Sequence, residues 1–201
     1  MPYIAIGEMN LHYEETGNGV PVLLAHGGFS DISEWSPQVP ALSSRYRVIR
    51  YDRRGCGLST PKKVENTPQL WVEDQRILIE ELELERPIIG GVSYGGMLLI
   101  EFLLKHQTLC RAAIIVSATA NGYNCGPVPF PDRRVELARI TTPTLVVQGS
   151  HDTIFPPGHG ETISSKMPNA QIVTLDGGHT INNQRAEAFN QASLSFLTQV
   201  T

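Results

Sequence analysis

Short, continuous apolar runs alternate along the chain with longer stretches whose apolar residues recur at helical spacing. Residues 21–25, 47–51, 87–89, 111–117, 144–149 and 171–175 are such runs, rich in Val, Ile and Leu and mostly bounded by Gly, Pro, Asn or Ser. Runs of this length and composition predict strands buried on both faces. Residues 69–84 set Leu70, Trp71, Ile77, Leu78 and Leu82 on one face with acidic residues opposite. Thr67 and Pro68 supply a cap and a first-turn proline for that helix. Residues 97–106 are apolar almost all round, which predicts a helix packed on both sides. Residues 158–167 read as a short helix. Residues 182–199 read as an amphipathic one carried by Ala186, Phe189, Ala192, Phe196 and Leu197. A further helical pattern over 33–44 is interrupted by Pro37 and Pro40, and its Trp35 reads as a packing residue. Residues 3–6 and 11–15 read as a half-exposed hairpin, with Leu11 and Tyr13 on one face and His12 and Glu14 on the other, so His12 is expected at the surface.

Strands alternating with helices predict an α/β fold: a mostly parallel, twisted sheet of about eight strands with helices on both faces. Reacting groups in such folds gather at the carboxyl ends of the strands. The Gly-, Pro- and Asn-rich stretch 118–131 reads as loop, and 132–139 as one or two helical turns. A chain of 201 residues is long enough to bury a full core and suits one domain over 1–201.

Charge and cysteine usage remove several function classes. The net charge is −4 and scattered, which gives no basic stripe for nucleic acid or an anionic membrane. The pairs Arg53-Arg54 and Arg133-Arg134 read as solvated or ion-paired. Glu80, Glu81, Glu83 and Glu85 read as a solvated face, so no metal and no cofactor is expected. Cys56, Cys110 and Cys125 form no paired framework, and no apolar leader or membrane-spanning run stands out. These features favour a reducing, cytoplasmic setting.

The chain is organised around Gly90-Gly91-Val92-Ser93-Tyr94-Gly95-Gly96, which joins a buried strand to a helix. A turn this sharp holds its serine in a strained conformation with the hydroxyl exposed, and leaves no room for side chains two residues to either side. The Tyr94 N–H then lies at a helix start, where donors are unpaired and negative charge is favoured. A second glycine pair, in His26-Gly27-Gly28-Phe29, follows the strand 21–25 and turns the Phe29 N–H toward the same region, so the two N–H groups are candidates to hold an oxyanion. His26 reads as a hydrogen-bonding residue beneath that loop, and Asp52–Ser59 as a tight structural turn.

A serine hydroxyl needs a base to take its proton and a carboxylate to orient that base. His179, in Gly177-Gly178-His179-Thr180, is the candidate base. Asp152, which follows the strand 144–149, is the candidate carboxylate. His151 and His159 compete for the first role and Asp176 for the second.

The order Ser…Asp…His, the Gly-x-Ser-x-Gly turn after a strand, the His-Gly-Gly-Phe loop and Asp52-Arg53-Arg54-Gly55-Cys56-Gly57-Leu58-Ser59 together resemble the α/β-hydrolase fold superfamily, in its serine esterase and lipase-like branch. The resemblance implies Ser93 as nucleophile, His179 as acid/base, Asp152 as orienting carboxylate, and the Phe29 and Tyr94 N–H groups as the oxyanion hole. Members of this kind usually insert a helical lid between the strands that here end near Ser117 and start near Thr144. The short loop/helix segment expected over 118–140 cannot hold one. An open, wet site acting on small or short-acyl esters is therefore expected, with a small-molecule ester as the only partner apart from weak self-association through the exposed lid side. Acyl transfer or perhydrolysis on the same residues, and a non-catalytic or engineered scaffold of the same fold, remain the alternatives.

Overall fold

The computed structural model describes residues 2–125 and 128–201. The chain begins with β1 (Tyr3–Ile6) and β2 (Met9–Thr16), followed by β3 (Val20–Ala25), a 3₁₀ turn over Ile32–Trp35, helix α1 (Val39–Leu42) and β4 (Tyr46–Tyr51). Then come α2 (Pro68–Glu81), β5 (Ile88–Val92), α3 (Tyr94–His106), β6 (Ala112–Val116), β7 (Asn121–Tyr123), β8 (Phe130–Asp132) and β9 (Thr144–Gly149). The last elements are α4 (Gly158–Lys166), β10 (Ala170–Leu175), α5 (Ile181–Gln184) and α6 (Ala186–Val200). Eight strands form one sheet in the order β1-β2-β4-β3-β5-β6-β9-β10. Only β1–β2 and β2–β4 pair antiparallel, and the rest of the ladder is parallel.

Period-two alternation sends each strand's side chains into two separate cores. Leu23 and Ala25 of β3 and Ile89 of β5 join Trp71, Leu78, Leu98, Phe102 and Ile163, under α2, α3 and α4. Val22 and Leu24 of β3, with Ile88 and Val92 of β5, join Leu42, Ile181, Phe189 and Leu197, under α1, α5 and α6. Helix α3 crosses the sheet centre with Tyr94 through Leu103 all buried, as its all-round apolar sequence predicts. Helix α2 starts where Thr67 accepts the Leu70 N–H at 3.2 Å. Among the described residues, no helix is long and apolar enough to cross a membrane.

Four local expectations need correction. Arg53 is neither solvated nor ion-paired among the described residues: it is buried and donates to the carbonyls of His26 and Gly27. The stretch 118–140 is not only loop and helix. It holds the β7–β8 hairpin, paired at Asn121–Asp132 and Tyr123–Phe130, before a 3₁₀ turn at Glu136–Arg139. Its Gly and Pro residues disguise the strands, which are held by aromatic packing: Phe130 lies 5.8 Å from the Trp71 ring and 5.6 Å from Tyr94. The helix expected over 182–199 is split at Arg185 (φ −129°, ψ 48°), where Arg185 Nε donates to the Asp176 carbonyl at 2.6 Å. His12 is fully buried. Its Nδ1 lies 2.8 Å from Asp52 Oδ2, because the loop after β4 covers what the alternation pattern reads as an outer face.

Candidate active site

The polypeptide reverses direction sharply between β5 and α3, and Ser93 sits at the reversal with φ 53° and ψ −113°. A side chain on Gly91 would meet the Gly95 carbonyl carbon and oxygen at 2.4 Å. One on Gly95 would meet the Ala25 carbonyl oxygen at 2.4 Å. Both obstacles are backbone and cannot move aside, so the two glycines are a condition for Ser93 to stand where it does.

The loops after β9 and β10 bring the other two candidates to it. His179 Nε2 lies 2.9 Å from Ser93 Oγ, and His179 Nδ1 lies 2.8 Å from Asp152 Oδ2. Asp152 Oδ1 accepts the N–H groups of Ile154 and Phe155, each at 2.9 Å. Burial alone would raise the Asp152 carboxyl, but the His179 hydrogen bond and the Phe155 and Ile154 N–H groups outweigh it and hold the group below the usual carboxylate value. The loop bearing His179 is itself tied down, since the Gly178 N–H donates to Gln184 Oε1 at 2.6 Å. The rival residues lie elsewhere. His151 and Asp176 are exposed and face each other at 3.3 Å, and His159 is held by Thr119 Oγ1 at 2.7 Å.

Phe29 and Tyr94 line the same cavity as Ser93 and His179. Neither N–H donates to a protein acceptor among the described residues. The Phe29 ring is 91% exposed at the rim, so this residue reaches the site through its backbone. The loop is braced from beneath, as the sequence suggests for His26. Its Nδ1 donates to the Gly27 carbonyl at 2.7 Å, and its Nε2 accepts the Arg53 N–H at 3.0 Å. Burial, then the Arg53 charge, push the His26 imidazole down to about 3. Arg53 also donates to the carbonyls of His26 and Gly27 and stacks 4.3 Å over the Trp71 ring. Trp35 packs instead of lining the cavity, with its Nε1 donating to the Ala25 carbonyl at 3.1 Å.

The cavity holds about 340 Å³ and is walled by Tyr94, Tyr123, Ile154 and Phe155. It also contains a residue that carries no motif. Glu34 lines it, and its Oε2 accepts the Gly27 N–H at 2.5 Å. Burial raises the Glu34 carboxyl above its usual value, against the pull of the Gly27 N–H and of Arg53. No signal in the sequence distinguishes this glutamate from the other acidic residues. Among the described residues, no group of His, Cys, Asp or Glu gathers as a metal site.

The chain is similar to known proteins. A family model described as alpha/beta hydrolase fold matches residues 20–133, and one described as serine hydrolase (FSH1) matches residues 89–190. The 3-oxoadipate enol-lactonase 1 of Acinetobacter baylyi is 24% identical over 242 residues, covering 91% of this chain and 90% of that protein. That alignment is longer than the 201-residue chain, so the relative carries segments with no counterpart here. The crystal structure of the enol-lactonase from Burkholderia xenovorans superposes with a TM-score of 0.92 at 25% identity, covering 98% of this chain and all of that one. A thermophilic esterase from Thermogutta terrifontis superposes with a TM-score of 0.90 at 25% identity, covering 96% of this chain and 95% of that one. A mostly parallel eight-stranded sheet, a strained serine between its central strand and helix, and a family match over more than half the sequence agree: the chain belongs to the alpha/beta hydrolase fold family.

Proposed function

We propose that the protein is a serine hydrolase that cleaves carboxylic esters through an acyl-enzyme. Ser93 Oγ attacks the ester carbonyl as His179 Nε2 takes its proton, and the imidazolium returns that proton to the departing alcohol. Water then attacks the acyl-serine with His179 again as base, releasing the acid and restoring the hydroxyl. Asp152 fixes the His179 tautomer and stabilises the imidazolium, a role its lowered carboxyl suits because it stays ionised. The Phe29 and Tyr94 N–H groups receive the tetrahedral oxyanion.

The observation that carries this reading is the unbroken hydrogen-bonded chain from Ser93 through His179 to Asp152, at 2.9 and 2.8 Å. The relatives named as enol-lactonases and as an esterase support it, since a lactone is a cyclic ester. A short hairpin stands where a helical lid would be, and the cavity is small and open-rimmed, which favours short acyl groups. The test is hydrolysis of p-nitrophenyl esters from acetate to octanoate by the wild type and Ser93→Ala. The expected result is a burst with highest kcat/KM on the short chains, and turnover lowered by at least about 10⁴-fold in the variant. Equal rates in the two proteins would sink the assignment.

A further inference from the structure

The mechanism leaves one carboxylate in the cavity unused. A methyl group placed on Gly27 would touch both sides of the site: it would lie 3.2 and 3.4 Å from the two Glu34 carboxylate oxygens and 3.6 Å from Ser93 Cβ. Glu34 therefore stands beside the reacting serine. Its neighbours satisfy it only in part. The Gly27 N–H occupies Oε2, the Ser30 hydroxyl is a further donor, and of the two cationic groups that act on it, Arg53 is spent on the carbonyls of His26 and Gly27 and His179 on Ser93 and Asp152. None of the residues lining the cavity is a lysine or arginine.

The same cavity is lined by aromatic side chains. Tyr94 and Tyr123 meet edge to face at 5.6 Å, Tyr123 and Phe155 at 5.4 Å, and Phe155 lies 5.5 Å from the His179 ring. A part-desolvated carboxylate and aromatic rings lining one cavity are a combination that recognises alkylammonium ions, through charge and through ring quadrupoles. A neutral or anionic ligand gains nothing from the first and, if anionic, is repelled by it.

We propose that Glu34 gives this pocket a preference for substrates that carry an alkylammonium group near the ester. The inference rests on the ester-hydrolase reading of the same cavity but names a substrate class that the reading does not. Burial of the carboxylate agrees with it, since a cation arriving from solvent restores the stabilisation that water no longer supplies.

The test compares choline with its uncharged isostere 3,3-dimethylbutanol, by ligand-observed NMR titration of the intact protein. Choline binds the wild type at least about fivefold more tightly than the isostere. The ratio falls below about twofold in Glu34→Gln, whose amide oxygen still accepts the Gly27 N–H, and in Ser30→Lys, which sets an ammonium beside an intact Glu34. Because each variant is judged by the ratio of two ligands of one shape, a general loosening of the pocket cancels. Equal affinities in the wild type, or a preference that survives both substitutions, would overturn the proposal. The readout is binding, so it separates from the fate of the hydrolase reading. Ser93-dependent ester turnover with no choline preference removes this inference alone. A choline preference without turnover upholds the Glu34 contact and removes the hydrolase.

Discussion

The molecule contains two aspartate–histidine pairs of the same local geometry. In each, histidine Nδ1 lies 2.8 Å from aspartate Oδ2: His179 with Asp152, and His12 with Asp52. Both aspartates are also caged by backbone donors, Asp152 by Ile154 and Phe155, and Asp52 by Ile32 and Leu58. What differs is the far side of the ring. His179 Nε2 meets the Ser93 hydroxyl at the wall of an open cavity. His12 Nε2 is buried with no partner, and no face of its ring is exposed. On the proposed mechanism it is access to the second nitrogen, not the pair itself, that allows chemistry. The same two side chains would orient a base in one place, and in the other they clamp a loop, where Asp52 and the Ser59 hydroxyl tie residues 52–59 onto β2.

The comparison is sharpest if one substitution is made in each pair. His179→Gln is expected to lower ester turnover by about 10⁴-fold or more, with the unfolding midpoint nearly unchanged, since the side chain borders solvent. Asp152→Asn should act in the same direction by about 10⁴-fold, through the wrong tautomer. His12→Gln should do the reverse. Turnover per folded molecule stays within a few-fold, while stability in urea falls by roughly 2–4 kcal/mol, because Asp52 is left buried with one partner fewer. If His12→Gln silenced turnover in a fully folded protein, the division between the two pairs would be wrong.

The sequence reveals the first pair and conceals the second for a physical reason. Ser93, Asp152 and His179 each follow a strand whose ending is visible as an apolar run giving way to Gly, Ser or Asp, and a parallel sheet brings such endings to one edge. His12 lies inside a strand whose alternation is real, but a loop 40 residues later covers the face that alternation leaves outside. Glu34 escapes for a similar reason: the 3₁₀ turn over Ile32–Trp35 folds back over Gly27, a contact no periodicity encodes. The β7–β8 strands carry turn residues and exist through the packing of Phe130 and Tyr123 on Tyr94, so local propensity misreads them. The break at Arg185 likewise comes from a partner, Asp176, outside the helix.

A third histidine extends the contrast to pH. His26 has neither a carboxylate nor a free nitrogen, and its imidazole is pushed down to about 3 from an ordinary 6.5. Between those two values the unfolded chain binds the proton and the folded one does not, so stability rises with pH across that window. The contribution is complete above 6.5 and is lost as the pH falls toward 3. Between pH 7 and pH 5 the loss amounts to about 2 kcal/mol. Glu34, whose carboxyl is raised, opposes this in the narrower window above its ordinary value, where the folded state holds the extra proton. The depressed carboxyl of Asp152 adds to the loss only at lower pH, below the ordinary carboxylate value. Urea titrations at pH 5 and pH 7 should show the difference in the wild type and a clearly flatter dependence in His26→Asn. An equal slope in both would mean that the acid limb comes from other groups.

The smallest effect tests whether burial, and not mere pairing, sets these differences. Arg76 is forked between Glu73 and Glu80 on the outer face of α2, with both carboxylates about half exposed. Counted as contacts, this cluster is richer than the His12–Asp52 pair. In water and salt its charges are screened, and ordering three long side chains costs entropy that offsets most of the attraction. Arg76→Ala should therefore cost less than about 1 kcal/mol in urea and lose even that in 1 M salt, with ester turnover unchanged. A cost as large as that of His12→Gln would show that the number of partners, not their separation from solvent, decides what a charged pair contributes here.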